Sequence, residues 1–251
     1  MMKLFVVTDI HGFYDEMQSA LTKAGFDHNN PNHIFISCGD LFDRGSQPYE
    51  CLKFVMSLDP KRRILIRGNH EDLMEQAIHR GCFADYDKSN GTMDTALALT
   101  TELNEHDALI HLRLHPLYNA YIQSTQNWAE IDDYIFVHGW IPSNLKMIKN
   151  GWKYCYTQYT YLSNWREASN ADWEEAKWIN GMEAWSDGVR EPNKTIVCGH
   201  WHTSWGHCYL HQMGREFSEN SIFTPFEDEG IIALDACTAY SHQVNCVVID
   251  I

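Results

Sequence analysis

The sequence predicts an α/β fold, and three observations carry that expectation. Short apolar runs rich in Val, Ile and Phe recur at Leu4 to Val7, Ile34 to Ser37, Ile64 to Ile66, Tyr134 to Val137 and Thr195 to Cys198, and each meets a glycine within a few residues. The first three alternate with segments of helical spacing, the order of a βαβ series with right-handed crossovers and a mostly parallel sheet. Every run also ends in polar residues, at the strand ends where α/β sheets present their chemistry.

In chain order, the opening Met1 to Thr8 has one basic residue and an apolar run ending at Asp9, so it reads as a first strand and not a signal peptide. Phe13 to Phe26 places apolar residues at Phe13, Met17, Ala20, Leu21 and Ala24, a helical spacing that Gly25 stops. His33 to Ser37 is strand two. Ser46 to Leu58 is a second helix, ended by Pro60. Arg63 to Ile66 is strand three, followed by a helix from Glu71 to His79. From Ser89 to Trp128 leucines and alanines at threes and fours predict an all-helical insertion that Pro116 interrupts. Tyr134 to Val137 is strand four. The segment of about 141–192 is rich in aromatics, among them Trp152, Trp165, Trp173, Trp178, Trp185, Tyr154, Tyr156, Tyr159 and Tyr161. These form a satellite core or line the substrate side of a site, since the segment leaves and re-enters between two candidate ligand loops. Gly230 to Thr238 and Val244 to Ile251 close the expected sheets, with an ordered C-terminus. One domain over 1–251 accommodates all of this.

The bulk numbers narrow the function. A net charge of −15 argues against binding nucleic-acid backbones, which requires Lys and Arg to neutralise phosphates. Bound divalent cations would still make a cationic pocket in an acidic protein. No apolar run nears the roughly 18 residues that span a bilayer, so no membrane role is expected. Eight cysteines form no CxxC pair. Cys38, Cys198, Cys237 and Cys246 sit in strand-like runs and read as buried thiols of a reducing cytoplasm.

The strand ends deliver Asp9 and His11, Asp40, Asn69, His138, then His200 and His202, the donor inventory of a pair of divalent metals. Asp9 and His11 alternate with Ile10, so on an extended strand end they face one way. Asp40 follows Gly39, and its two oxygens make it the candidate bridge between cations. Two such metals polarise a phosphoryl group and activate water for in-line attack at phosphorus. Arg44 then serves as a bidentate donor to phosphate, and His70 as the proton donor to the leaving oxygen, with Asp43 as the carboxylate that keeps it protonated.

Asp9-Ile10-His11-Gly12, Gly39-Asp40-Leu41-Phe42-Asp43-Arg44-Gly45, Gly68-Asn69-His70-Glu71, Val137-His138-Gly139 and Gly199-His200 resemble the ordered motif set of the calcineurin-like metallophosphoesterases. Within it they are most similar to the phosphoprotein phosphatase type, which includes small bacterial and phage serine/threonine phosphatases and the related diadenosine tetraphosphate hydrolases. The resemblance covers residues 9 to about 238. It implies a four-layer αββα sandwich and two divalent metals, manganese first, with iron or zinc as the other candidates. It places Asp9 and His11 on the first metal, Asp40 as the bridge, and Asn69, His138 and His200 on the second.

Three positions depart from the pattern. Thr8 replaces the glycine usual before the first aspartate. His202 adds a Gly-His-x-His form, as in phosphodiesterase branches of the superfamily, and either completes the first metal's shell or packs beside the site. The second phosphate-binding arginine, expected in a Trp-x-Arg context, has no clean match. Trp178-Ile179-Asn180 is nearest in spacing, which makes Asn180 a candidate substrate contact beside Arg44 and Asn69, with Arg166 and Arg190 as competing substitutes. The expected activity is hydrolysis of phosphomonoesters, on a phosphorylated protein or a small phosphoester. The alternatives are a diadenosine polyphosphate or other nucleotide phosphodiester hydrolase, and a non-catalytic scaffold, which would have no reason to keep His70, Asp43 and Arg44.

Overall fold

The computed structural model describes residues 1–150 and 154–251. The strands are β1 Lys3–Val7, β2 His33–Ser37, β3 Arg63–Ile66, β4 Thr125–Gln126, β5 Ala129–Ile131, β6 Tyr134–Phe136, β7 Ser143–Asn150, β8 Tyr154–Tyr161, β9 Thr195–Cys198, β10 Phe226–Asp228, β11 Ile231–Ala233 and β12 Val247–Asp250. The helices are α1 Tyr14–Ala24, α2 Pro48–Ser57, α3 Asn69–Arg80, α4 Asp85–Asn90, α5 Thr92–Thr100, α6 Glu105–Arg113, α7 Pro116–Ser124, α8 Asn170–Ala176, α9 Gly181–Ser186, α10 Thr203–Tyr209 and α11 Thr238–Ser241.

One sheet has the order β12-β1-β2-β3-β4 and the other β10-β11-β9-β6-β5, while β7 and β8 pair as a separate hairpin. Strands β1 to β4 run parallel, as do β11, β9 and β6, and the outer strands β12, β10 and β5 are antiparallel. Side-chain alternation along β1 explains the layering. Leu4 and Val6 point into a cluster with Ile36, Ile66, Phe136, Val197 and Leu234 that fills the space between the sheets. Phe5 and Val7 point the other way, into the core beneath the helices from α1 to α7. The second sheet buries its far face under α8, α9 and their loops, with Trp165, Trp173, Met182 and Trp185. Three apolar layers between four layers of secondary structure make the expected αββα sandwich, and strands covered on both faces read as unbroken apolar runs for that reason.

Several boundaries differ from expectation. The helical insertion is four helices over residues 85–124, and the stretch expected to stay helical to Trp128 enters β4 instead. Gly91 at φ +88 separates α4 from α5, and Pro116 starts α7 at its first turn, where a missing N–H costs nothing. Of the tail run expected over Gly230 to Thr238 only Ile231–Ala233 is strand, because the chain turns at Cys237 (φ 52) into α11, and the final run forms β12 over Val247–Asp250. Of the four cysteines read as buried, Cys38 and Cys198 are, while Cys237 and Cys246 are half-buried. Trp152 lies outside the described residues, as do the side chains of Tyr154 and Tyr156. No helix among the described residues is long and apolar enough to cross a membrane.

Candidate metal centre

The C-terminal ends of β1, β2 and β3 meet those of β6, β9 and β11, and the candidate ligands lie along that seam. Within the first sheet, Asp9 N–H donates to the Gly39 carbonyl (3.1 Å) and His11 N–H to that of Asp40 (2.9 Å), so the first two loops extend the ladder. Across the seam, His200 N–H donates to Asp9 Oδ2 (2.9 Å) and the Thr238 hydroxyl to the Asp9 carbonyl (2.8 Å). The loops approach so closely that they need glycine. A Cβ on Gly68 would lie 2.1 Å from Asp40 Oδ1, and one on Gly199 2.2 Å from Asp9 Oδ2.

Two sets of donors converge on Asp40. His11, Asp40 and His70 form one group, and Asp40, His138 and His200 the other, each with ligating atoms within 4.8 Å of one another. Asp40 Oδ2 lies 3.8 Å from His11 Nε2, 3.9 Å from His70 Nε2 and 3.4 Å from His138 Nε2. Asp9 Oδ1 is 3.9 Å from His11 Nε2, and Asn69 Oδ1 is 2.7 Å from His138 Nε2. The tautomers suit metal binding: His11 Nδ1–H donates to the Phe42 carbonyl and His138 Nδ1–H to that of Cys38, both at 2.8 Å, which orients each Nε2 inward. A buried carboxylate shared between two imidazole groups, with Asp9 and Asn69 beside it, fits a pair of divalent cations in donor chemistry.

The electrostatics divide the site between groups that hold their charge and groups that give it up. Burial alone would raise Asp40, but the His138 and His70 imidazoles outweigh it and hold the carboxyl well below its usual range. Burial opposes protonation of His138 too, yet Asp40 lifts it to about 10. Asp9 rises to about 6 through burial, against the pull of His138. His200 drops to about 3 through burial and the neighbouring His138.

His70 and Asp43 form the expected pair, with Nδ1–H donating to Asp43 Oδ2 at 2.7 Å. Burial lowers the His70 pKa, but Asp40 and Asp43 together carry it above its ordinary value. The Arg44 guanidinium lies 3.1 Å from His11 Nε2 and 3.3 Å from His70 Nε2, against the first of the two donor groups. Asp9, His11, Asp40, Asp43, Arg44 and His200 all sit at positive φ. Such backbone costs roughly 1–3 kcal/mol per residue and gathers where function over-determines it. It also corrects the expected geometry: Asp9 (φ 48) and His11 (φ 51) meet through a left-handed turn, not through strand alternation.

Other expected contacts are placed elsewhere. Asn180 caps α9, its Oδ1 accepting from the N–H groups of Met182 (3.1 Å) and Glu183 (3.3 Å), so that oxygen serves the helix and not a substrate. Arg166 is paired with Glu130 (2.9 Å) and Glu191 (2.7 Å) and stacked on Trp165, while Arg190 lies over the Trp185 ring at 4.2 Å. Both substitutes for the second phosphate-binding arginine are therefore engaged in packing the insertion. His202 is not gathered with the ligand groups. Its Nε2 faces Glu216 Oε1 at 2.9 Å, between Trp201 and Phe217, because His200 sits at positive φ (65) and the extended alternation assumed for the pair does not form. Thr8, where a glycine is usual, donates its hydroxyl to Asp9 Oδ2 (2.6 Å).

Some supporting residues had no assigned role in the sequence. Glu71 is fully buried and accepts from the N–H groups of Asp40 (3.1 Å), Leu41 (2.9 Å) and Gly68 (2.8 Å) and from the Tyr121 hydroxyl (3.0 Å), locking two ligand loops together. Asp235, at the end of β11, is buried beside Asp9 and pushed up to about 8 by burial and that neighbour. An apolar run ending in Asp was its legible signal. The Thr92 hydroxyl donates to Asp43 Oδ2 (2.7 Å), and Asp43 N–H donates to Thr95 Oγ1 (3.0 Å), so α5 buttresses the His70 pair from 49 residues away. A hydrogen bond to a charged group contributes about 1.5–3 kcal/mol, so Thr92→Val should slow turnover of poor leaving groups at least about tenfold, with Thr92→Ser restoring most of it. Steady-state rates across a leaving-group series check this.

The sequence profile of the calcineurin-like phosphoesterases matches residues 2–222. The chain is 36% identical over 120 residues to a symmetrical bis(5'-nucleosyl)-tetraphosphatase of Psychromonas ingrahamii, a match covering 48% of this chain and 40% of that protein. It is 29% identical over 140 residues to the protein of the same name from Vibrio campbellii, covering 56% and 45%. The matches thus span less than half the length of these curated relatives. Among solved structures, a provisionally named diadenosine tetraphosphatase superposes with a TM-score of 0.54 at 15% identity over 99% of this chain and 89% of its own. The cold-active protein-tyrosine phosphatase of a psychrophilic Shewanella gives 0.53 at 17% identity over 100% and 76%. At such identities the structures speak for the fold alone, but the profile runs through the loops that carry Asp9, Asp40, Asn69, His138 and His200, and on that match the chain belongs to the calcineurin-like phosphoesterase family.

Proposed function

We propose that this chain is a metal-dependent phosphoester hydrolase whose substrate is a dinucleoside oligophosphate. The observation that carries the chemistry is Asp40 Oδ2 lying within 4 Å of three imidazole nitrogens, next to a His70 held by Asp43. Support for the substrate class comes from the curated relatives, which are named tetraphosphatases. The protein phosphatase reading that the motifs first suggest lacks that support, and with it goes the expectation of a phosphorylated protein as partner.

In this reading Asp9, His11, Asp40, Asn69, His138 and His200 would hold the cations. When bound, these polarise a phosphoryl oxygen and lower the pKa of a coordinated water. Arg44 turns its N–H groups from the two imidazoles to the nonbridging phosphate oxygens as charge builds there. The P–O bond to the leaving group breaks as the bond to the entering water oxygen forms, and His70 Nε2 gives its proton to the departing oxygen. Asp43 keeps Nδ1 protonated throughout, so Nε2 is the nitrogen that exchanges.

A manganese-supplemented panel of diadenosine tetraphosphate, a phosphoserine peptide, an aryl phosphate and an aryl phosphodiester tests this. The highest kcat/KM should fall on diadenosine tetraphosphate, with ADP as the sole nucleotide product. A phosphopeptide preferred over it would overturn the substrate assignment.

A further inference from the structure

Trp178 is out of place among its neighbours. Trp165, Trp173 and Trp185 are buried in the insertion core, whereas Trp178 keeps 51% of its surface exposed. Its ring stands edge-on to that of His200, centroids 5.6 Å apart at 84°. An exposed indole thus forms the rim of the metal centre on the side of His138 and His200.

From that rim a cleft of about 200 Å³ runs under the β7–β8 hairpin. Leu145, Tyr159, Leu162 and Trp178 supply apolar and aromatic walls, and Asn144 and Glu175 supply polar groups. Among the described residues the charged groups of its lining are the Asp172 and Glu175 carboxylates. Asp172 has an oxygen committed to Ser169, capping α8. The Glu175 carboxylate stands in the cleft as a hydrogen-bond acceptor, suited to an exocyclic amine or a sugar hydroxyl. A flat aromatic surface and acceptors, meeting the candidate phosphoryl-binding centre at the Trp178–His200 contact, match the parts of a nucleoside 5'-phosphate in their order along the molecule.

We infer that this cleft binds one nucleoside of the substrate, with its base stacked on Trp178 and its phosphate at the Asp40 group. The assignment rests on the dinucleoside oligophosphate reading and adds to it a place for the base. A peptide would find the same apolar wall, and the test separates the two.

Stacking on an aromatic side chain commonly contributes about tenfold or more in affinity per base. Trp178→Ala should raise KM for diadenosine tetraphosphate about tenfold more than it raises KM for para-nitrophenyl phosphate, and Trp178→Phe should restore most of the difference. Equal losses on both substrates would reduce Trp178 to a packing partner of His200 and overturn the inference. A second measurement stands apart from turnover of the dinucleotide: inhibition of aryl phosphate hydrolysis by ADP against inorganic pyrophosphate. ADP should be several-fold the stronger inhibitor in the native protein and lose that advantage in Trp178→Ala. Equal potency in the native protein overturns the cleft. If the native protein leaves diadenosine tetraphosphate intact yet favours ADP over pyrophosphate through Trp178, the substrate reading fails and the nucleoside cleft stands. A Trp178 effect seen on a phosphopeptide and not on ADP assigns the wall to a peptide.

Discussion

Asp40→Asn should lower turnover by at least about 10²–10³-fold, the scale of losing a principal electrostatic group from a transition-state site. The residue is 1% exposed and its Oδ2 faces His11, His70 and His138, so it is the one anion shared by both donor groups. Asparagine keeps the size and the Oδ1 that accepts from the His70 N–H (3.0 Å) but removes the charge. Elemental analysis should then show metal content falling well below that of the parent protein. Circular dichroism should be unchanged, because Glu71 still ties the loop down through the Asp40 and Leu41 N–H groups. Full metal content with full activity would remove Asp40 from the bridging position.

His70→Asn should cost about 10²–10⁴-fold on a substrate with an alkoxide leaving group and far less on a nitrophenolate, because general acid help matters only where the leaving oxygen needs a proton. The ring is buried, its Nδ1 is fixed by Asp43 at 2.7 Å, and its Nε2 points toward Arg44 and the Asp40 carboxylate. Since His70 also falls within the His11 and Asp40 group, an equal loss on both leaving groups would assign it to holding metal or substrate.

What the sequence determined by itself was the set of parts. Runs such as Leu4 to Val7 had to be strands covered on both faces, because no amphipathic surface strand is apolar at every position. Their polar ends had to meet, because parallel strands joined by right-handed crossovers place all their C-terminal ends along one edge. That placed Asp9, Asp40, Asn69, His138 and His200 at one seam without any knowledge of distance.

Direction was left to the tertiary structure. Whether Asp9 and His11 converge depends on loop dihedrals at positive φ, which side-chain alternation cannot report. His200 enters the group and His202 does not, because His200 at φ 65 turns the chain before His202 is reached. Asn180 and Arg166 had the right chemistry and nearly the right spacing, but a helix N-terminus and two glutamates claim them. The roles of Thr92 and Trp178 arise from contacts made far along the chain, with Asp43 across 49 residues and with His200 at the far side of β9. Local periodicity records whether a residue is buried within its own element, whereas these contacts are set by how separate layers dock, and only the folded chain decides that.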